Sequence, residues 1–225
     1  MRIDGVAQLR LFQLISPSLP TGAFSYSQGL EWAVEAGWVR DEASLADWLS
    51  GLISENLAHL DLPVLHRLYQ AALRTDCEAF SYWSEYFIAS RETFELREEE
   101  RHRAAAMTRL LQDLEVPLVE QWRNNMMLCQ VAPFAAAAAH WGVDAEHLLL
   151  GYGYGWLETQ TIAAVKLIPL GQTAGQRIQR DLSTVLAKAV QVALHLQDED
   201  LGAAAPLLSM ASCQHEVQYT RLFRS

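Results

Sequence analysis

The sequence predicts an all-α fold, organised as a single-domain multi-helix bundle, and three observations predict it. Apolar residues recur with the helical period over long stretches of the chain. No run of β-branched residues alternates with polar ones between turn signals. The 225 residues are 51% hydrophobic and 20% charged, the balance of a chain that folds around a core. At that length folding removes about 70–75% of the unfolded surface from water, so no staple is needed.

Each element follows from its local pattern. Helices are expected over Asp4–Ile15 and Ala23–Ala36. Leu45, Trp48, Leu49, Leu52 and Ile53 form an amphipathic stripe, with Asp41 and Ser44 placed to cap it. Pro63–Arg74 follows, then a capping box at Thr75-Asp76-Cys77-Glu78. Phe80, Tyr82, Trp83, Tyr86 and Phe87 come next, with Trp83 and Phe87 on one face, and read as core or subunit interface. Further helices are expected over Phe94–Asp113, Leu118–His140 and Ala145–Leu167. The stripe Ile178, Leu182, Val185, Leu186, Ala189, Ala193 and Leu196 marks another. Pro63, Pro117, Pro133, Pro169 and Pro206 mark ends or kinks. No linker or internal repeat divides residues 1–225, and about 207–225 are expected to form a flexible tail.

Composition narrows the partners. A formal charge of −10 repels phosphate backbones and anionic lipids, which excludes nucleic acid and membrane surfaces as natural partners. Cys77, Cys129 and Cys213 are odd in number and lack a C-x-x-C spacing, so a reducing compartment is expected. Cys129 reads as a small hydrophobe. Met1-Arg2-Ile3-Asp4-Gly5 lacks the plan of a signal peptide, and no apolar run is long enough for a membrane helix. The expected location is cytoplasmic.

A search for chemistry returns little. Gly171-Gln172-Thr173-Ala174-Gly175-Gln176-Arg177 has glycines at both ends of a five-residue window but lacks the Gly-Lys-Ser/Thr ending of a phosphate loop. It reads as a turn between helices, stopped by Pro169 and restarted near Thr173. Gly151-Tyr152-Gly153-Tyr154-Gly155 interrupts a helix, and close helix approach or a partner surface would compensate. The seven histidines are dispersed, and Cys213 with His215 is too few ligands for a closed metal site. The charged run Arg91–Arg103 contains the i, i+4 pair Glu99 and Arg103 and reads as a solvated helix face. An arginine finger acting on a partner NTPase is the sharper use of one of these arginines. No G-x-S-x-G, paired-carboxylate or reactive-cysteine signature occurs. No catalytic residue and no metal ligand is assigned; a binding protein is favoured.

Four segments carry a family resemblance. They are Ser16-Pro17-Ser18-Leu19-Pro20-Thr21-Gly22-Ala23-Phe24-Ser25-Tyr26-Ser27-Gln28-Gly29-Leu30-Glu31; Arg91-Glu92-Thr93 with Glu95-Leu96-Arg97; Ala164-Val165-Lys166-Leu167-Ile168-Pro169-Leu170-Gly171-Gln172-Thr173 with Gly175-Gln176; and Gln218-Tyr219-Thr220-Arg221-Leu222-Phe223-Arg224-Ser225. In this order over the whole length, they resemble the urease accessory protein UreF family. Phe94 stands where a small residue is commoner in that family. The resemblance implies an all-α homodimer that binds the accessory protein UreD or UreH, recruits and regulates the GTPase UreG, and helps deliver nickel to apo-urease. It implies no cofactor of its own; nickel and GTP are handled through the partner complex.

Physical reading places the residues. Lys166, Gln172 and Thr173, beside the Pro169 turn, are expected on the GTPase-facing surface. Tyr219, Arg221, Leu222, Phe223 and Arg224 are the aromatic and arginine anchors of a partner-binding tail that orders on its partner. Ser25, Tyr26 and Glu31 are expected to line the dimer cleft or the ion path. Two other readings stand beside this one: a stand-alone nickel-binding chaperone using Cys213 and His215, and a helical enzyme with an unrecognised site.

Overall fold

Asp4 opens the first helix by accepting hydrogen bonds from Val6 N and Ala7 N, two of the orphan donors at any helix start. The computed structural model describes residues 4–117, 119–202 and 205–225. Met1–Ile3, part of the N-terminal reading above, and Leu118, where a helix was expected to begin, lie outside them. The described residues contain helices and turns and no strand, so the all-α expectation holds.

Helix α1 spans Gly5–Ile15 and buries Ala7, Leu11 and Leu14. The helix expected over Ala23–Ala36 is broken. Gly22 and Gly29 both take left-handed backbone angles, φ +73° and +78°, which glycine adopts without steric cost. A 3-10 turn at Ala23–Ser25 and a short α2, Leu30–Glu35, result. Helix α3, Glu42–Leu52, starts in a reciprocal capping box of Asp41 and Ser44, as the sequence implied.

Pro63 does not end a helix. From α3 the chain continues through a wide π-helical segment, Ile53–Asp61, into α4, Leu62–Arg74, with Pro63 near the start of α4. Leu62 N donates to Leu57 O, five residues back, so the wider ladder carries the backbone into the proline. The expected capping box at Thr75–Glu78 also gives way: Thr75 closes α4 with φ +53°, and Asp76 caps α5, Cys77–Ala89, by accepting from Ala79 N.

Helix α6, Phe94–Asp113, is capped by Thr93. The stretch expected as one helix to His140 is a 3-10 turn, Glu120–Trp122, a short α7, Arg123–Met126, and α8, Val131–His140, with Pro133 in its first turn. Phe80 stacks on Trp122 with ring centroids 4.5 Å apart. The long pair α9, Ala145–Leu167, and α10, Gln172–His195, pack on each other. Helix α4 lies centrally, against α5, α8, α9 and α10, and a continuous hydrophobic core runs from Ala7 to Phe223.

The glycines of α9 admit its neighbours. A Cβ on Gly151 would stand 2.7 Å from Leu11 of α1, and one on Gly153 would stand 2.4 Å from Leu186 of α10. Both are closer than van der Waals contact, so close helix approach explains these two glycines.

The C-terminal segment departs from the flexible tail expected for 207–225. Pro206–His215 forms α11, packed on α2, and Phe223 and Ser225 are buried beyond it. Side-chain acceptors far away in sequence hold it.

Candidate functional site

The charged run divides. Glu92, Arg101 and His102 are exposed, as a solvated face requires. Glu99 and Glu100 are each 1% exposed and Arg91 is 6% exposed, which corrects the solvated-face reading for these three. The inward stripe of α6 joins Leu96, Glu99, Glu100 and Met107, and composition alone does not reveal which side of such a helix meets the core. Arg91 sits between Asp61 and Glu100, with Nη2 2.9 Å from Glu100 Oε1 and a salt bridge to Asp61. Its guanidinium stacks over Phe87 at 4.3 Å. Glu100 Oε2 accepts from Gln130 N at 3.0 Å. Burial pushes the Glu100 carboxyl above its ordinary range, against the pull of Arg91. Removing one member of such a buried set costs about 3–5 kcal/mol, because the remaining charge is left uncompensated.

Beside Glu100 in the chain, Glu99 gathers three donors: Arg103 Nη1 at 2.8 Å, Gln28 Nε2 at 2.9 Å and Ser225 Oγ at 2.8 Å. Gln28 takes φ +52°, and its side-chain Oε1 accepts from Trp156 Nε1 at 2.8 Å. The first and last sequence segments therefore meet on α6.

Glu31 holds the tail directly. Its Oε1 accepts from Leu222 N at 2.6 Å and its Oε2 from Phe223 N at 2.8 Å. His215, fully buried, has Nε2 3.3 Å from Glu31 and Nδ1 2.6 Å from Glu95. Glu95 also binds Arg221 at 2.6 Å. Further along, Arg224 N donates to Ser25 O at 2.8 Å, and Ser27 donates to Ser225 O through its N at 2.8 Å and its Oγ at 2.5 Å. Hydrogen bonds to an ionised acceptor are each worth about 1.5–3 kcal/mol, enough to order a short segment against its backbone entropy.

The structure unites two of the three expected groups. Ser25, Tyr26 and Glu31, expected along a dimer cleft or ion path, meet the tail. Tyr26 adds a contact from its hydroxyl to His102 Nδ1 at 3.3 Å, and burial raises its titration. Lys166, in the last turn of α9, places Nζ 5.6 Å from the centroid of the Phe223 ring. Gln172 and Thr173 lie exposed in the first turn of α10, separated from Lys166 by the Pro169 turn.

Within the tail, Tyr219, Arg221, Leu222 and Arg224 are exposed and Phe223 is buried at 5%. Phe223 thus anchors the tail to its own chain. Reading the sequence missed Ser27, Gln28, Glu95 and Glu99 as site residues, and weighed His215 only as a metal ligand. The first two lie inside the opening segment, where their side-chain amide and hydroxyl were the available signal. His215 also answers the pairing with Cys213: its nitrogens face Glu31 and Glu95, and Cys213 is exposed to solvent. Among the described residues no group of three or more His, Cys, Asp or Glu is arranged to hold a metal ion.

The all-helical fold gathers buried carboxylates beneath a docked tail and leaves Tyr219, Arg221 and Arg224 exposed above it, residue types enriched where proteins meet one another. Comparison with known proteins gives the family. A sequence model described as UreF matches residues 39–183. Urease accessory protein UreF of Pseudomonas putida is 51% identical over 220 residues, 98% of each chain. That of Alcanivorax borkumensis is 49% identical over 229 residues, 99% of this chain and all of its own. That of Hahella chejuensis is 46% identical over 220 residues. The chain belongs to the UreF family of urease accessory proteins.

Proposed function

We propose that the protein is a dimeric scaffold in urease maturation, which with UreD or UreH recruits and regulates the GTPase UreG and helps deliver nickel to apo-urease in the cytoplasm. It acts by binding, and nickel and GTP are handled by the partner complex. One observation supports this reading: the docked tail sets Phe223 beside the exposed Lys166, with exposed Leu222 and Arg224 flanking Phe223 in the chain. Lys166, Gln172 and Thr173 face the GTPase, and Tyr219, Arg221, Leu222 and Arg224 face the other accessory protein. Phe223 pins that surface from below. Ser25, Tyr26 and Glu31 serve it by holding the tail, and in the dimer they border the cleft or the ion's path. No helix among the described residues is long and apolar enough to cross a membrane.

The test is co-purification from cells expressing urease with its accessory proteins. Wild-type protein brings down UreD or UreH and UreG, and its loss leaves urease without nickel. Removal of residues 219–225 abolishes both captures while far-ultraviolet circular dichroism stays helical. Full capture by the truncated protein, or GTP hydrolysis or tight stoichiometric nickel binding by the isolated chain, would overturn the proposal.

A further inference from the structure

Between the loop of residues 16–23 and the helices behind it lies a cavity of about 70 Å³. Met107, Phe134 and Trp156 give it apolar walls, and Arg103, Gln130 and Tyr152 give it a polar side. No carboxylate lines it, although acidic residues outnumber basic ones 27 to 17 in the chain.

The hydrogen-bond inventory of that polar side does not balance. Arg103 gives one hydrogen of Nη1 to Glu99 at 2.8 Å, while its Nε–H is buried without an acceptor. Gln130 Nε2 donates to the Tyr152 hydroxyl at 3.1 Å, which leaves the hydroxyl's own hydrogen to find an acceptor. Tyr152 is only 6% exposed. Turning the Gln130 amide over would let Tyr152 donate to Oε1, but would then free both amide hydrogens. In either orientation the Arg103 Nε–H keeps no acceptor. Buried donors without partners are rare and costly, and their presence calls for an explanation. Water can accept from these donors but adds two hydrogens that need acceptors in turn, whereas a carboxylate-type oxyanion adds chiefly acceptors.

Size permits such a ligand. Against the roughly 10–15 Å³ of probe-occupied space that one water needs, the volume admits several waters and leaves room for a planar ion of three or four heavy atoms. Guanidinium matches such an ion by its fork of parallel donors.

We propose that this cavity binds a small planar carboxylate-type oxyanion, held by Arg103 and Tyr152 and enclosed by Met107, Phe134 and Trp156. Bicarbonate and the short monocarboxylates formate and acetate share this chemistry. The site is separate from the surface proposed for the partner proteins, and its test does not depend on them.

The full chain is titrated with sodium bicarbonate, formate or acetate, each against sodium chloride at equal ionic strength and pH. Tryptophan fluorescence reports Trp156 in the wall, and calorimetry gives stoichiometry. Saturable one-to-one binding of at least one of the three, not reproduced by chloride, is expected, and their order identifies the source. Tyr152→Phe keeps the ring and removes the hydroxyl; it should weaken binding about tenfold or more. Arg103→Lys keeps a cation opposite Glu99, so the fold is retained, and loses the fork; a similar loss is expected. Absence of saturable binding up to about 50 mM, far into the weak range, overturns the proposal and leaves a partner's acidic side chain as the alternative occupant. Binding unchanged in both variants overturns it as well, since the anion would then sit elsewhere.

Discussion

The ammonium of Lys166 lies 5.6 Å from the centre of the Phe223 ring, so the end of α9 and the C-terminal segment form a single surface. A cation over an aromatic face at an exposed position contributes about 0.5–1 kcal/mol. The contact is too weak to hold the tail alone, and it sets which groups stand next to one another. Lys166→Ala should leave the helical spectrum and the capture of UreD or UreH intact while reducing UreG capture in co-purification. Equal recovery of UreG, with unchanged nucleotide turnover and nickel content of urease, would remove Lys166 from the proposal.

Glu31 is the tail's principal anchor. Glu31→Gln replaces an ionised double acceptor by an amide that presents hydrogens to Leu222 N, Phe223 N or His215. A loss of about 2 kcal/mol or more is expected at the tail, which corresponds to roughly thirtyfold faster amide exchange at Leu222 and Phe223. Exchange in the α9 and α10 amides should change little. Wild-type protection of Leu222 and Phe223 in the variant would show that other contacts suffice.

The glycines of α9 differ in the room they have. Gly153→Ala would set its Cβ 2.4 Å from Leu186, whereas Gly155→Ala would meet Ile15 at an ordinary 3.5 Å. The first change should destabilise by about 1–3 kcal/mol. The second should be neutral or stabilise by up to about 1 kcal/mol, since alanine favours the helix. Urea denaturation of the two variants decides it; the same midpoint for both would mean that α10 yields freely to α9.

Thiol labelling should separate the three cysteines. Cys213 is exposed, Cys77 partly covered and Cys129 buried, where burial pushes the thiol far above its ordinary range. In native protein Cys213 should react first with a thiol-disulfide reagent, and Cys129 only at the rate of unfolding. Rapid labelling of all three sites in native protein would contradict the packing around α8.

Acid should remove one local contribution. Burial tends to raise the Asp144 carboxyl, but hydrogen bonds from His147 outweigh it and hold the group below the usual carboxylate range. A group lowered on folding contributes stability above its unfolded value and loses it as pH falls through the folded one. Asp144→Asn retains a helix cap. Its deficit in melting temperature should therefore be full near neutrality, begin to shrink near the unfolded value of about 3.9 and vanish only below the folded one. A deficit independent of pH would assign the effect to capping geometry.

Much of the fold was legible where the periodic signal was long and undisturbed. The bounds of α6 and α9 follow directly from their patterns, as does the Asp41 and Ser44 cap. The breaks at Gly22 and Gly29 and the passage through Pro63 depend on backbone choices that tertiary contacts select; a Cβ on Gly29, for instance, would lie 3.0 Å from Ser212 N. Resemblance to a family drew attention to Glu31, Lys166 and the tail, but their meeting required the folded chain. The inward turn of Glu99 and Glu100 escaped notice because a helix of mixed charges looks solvated until its partners, Arg103 on the same helix and Gln28, Gln130 and Ser225 elsewhere, are in place. Tail order escaped for the same reason, since its acceptors lie nearly a chain's length away.

The wide segment Ile53–Asp61 acts as a phase shifter between α3 and α4. Each residue of an ordinary helix advances the facing direction by about 100°, so one surplus residue in a widened turn resets the face that everything downstream presents. Through it Asn56 reaches Asp61 at 2.6 Å, five positions on, and Asp61 comes to bear on Arg91. A relative one residue shorter here would gain a more regular helix and lose the alignment. Its Arg91 would keep Glu100 but lose Asp61, and length variation should therefore be tolerated in the loops of this family and resisted inside this one helix.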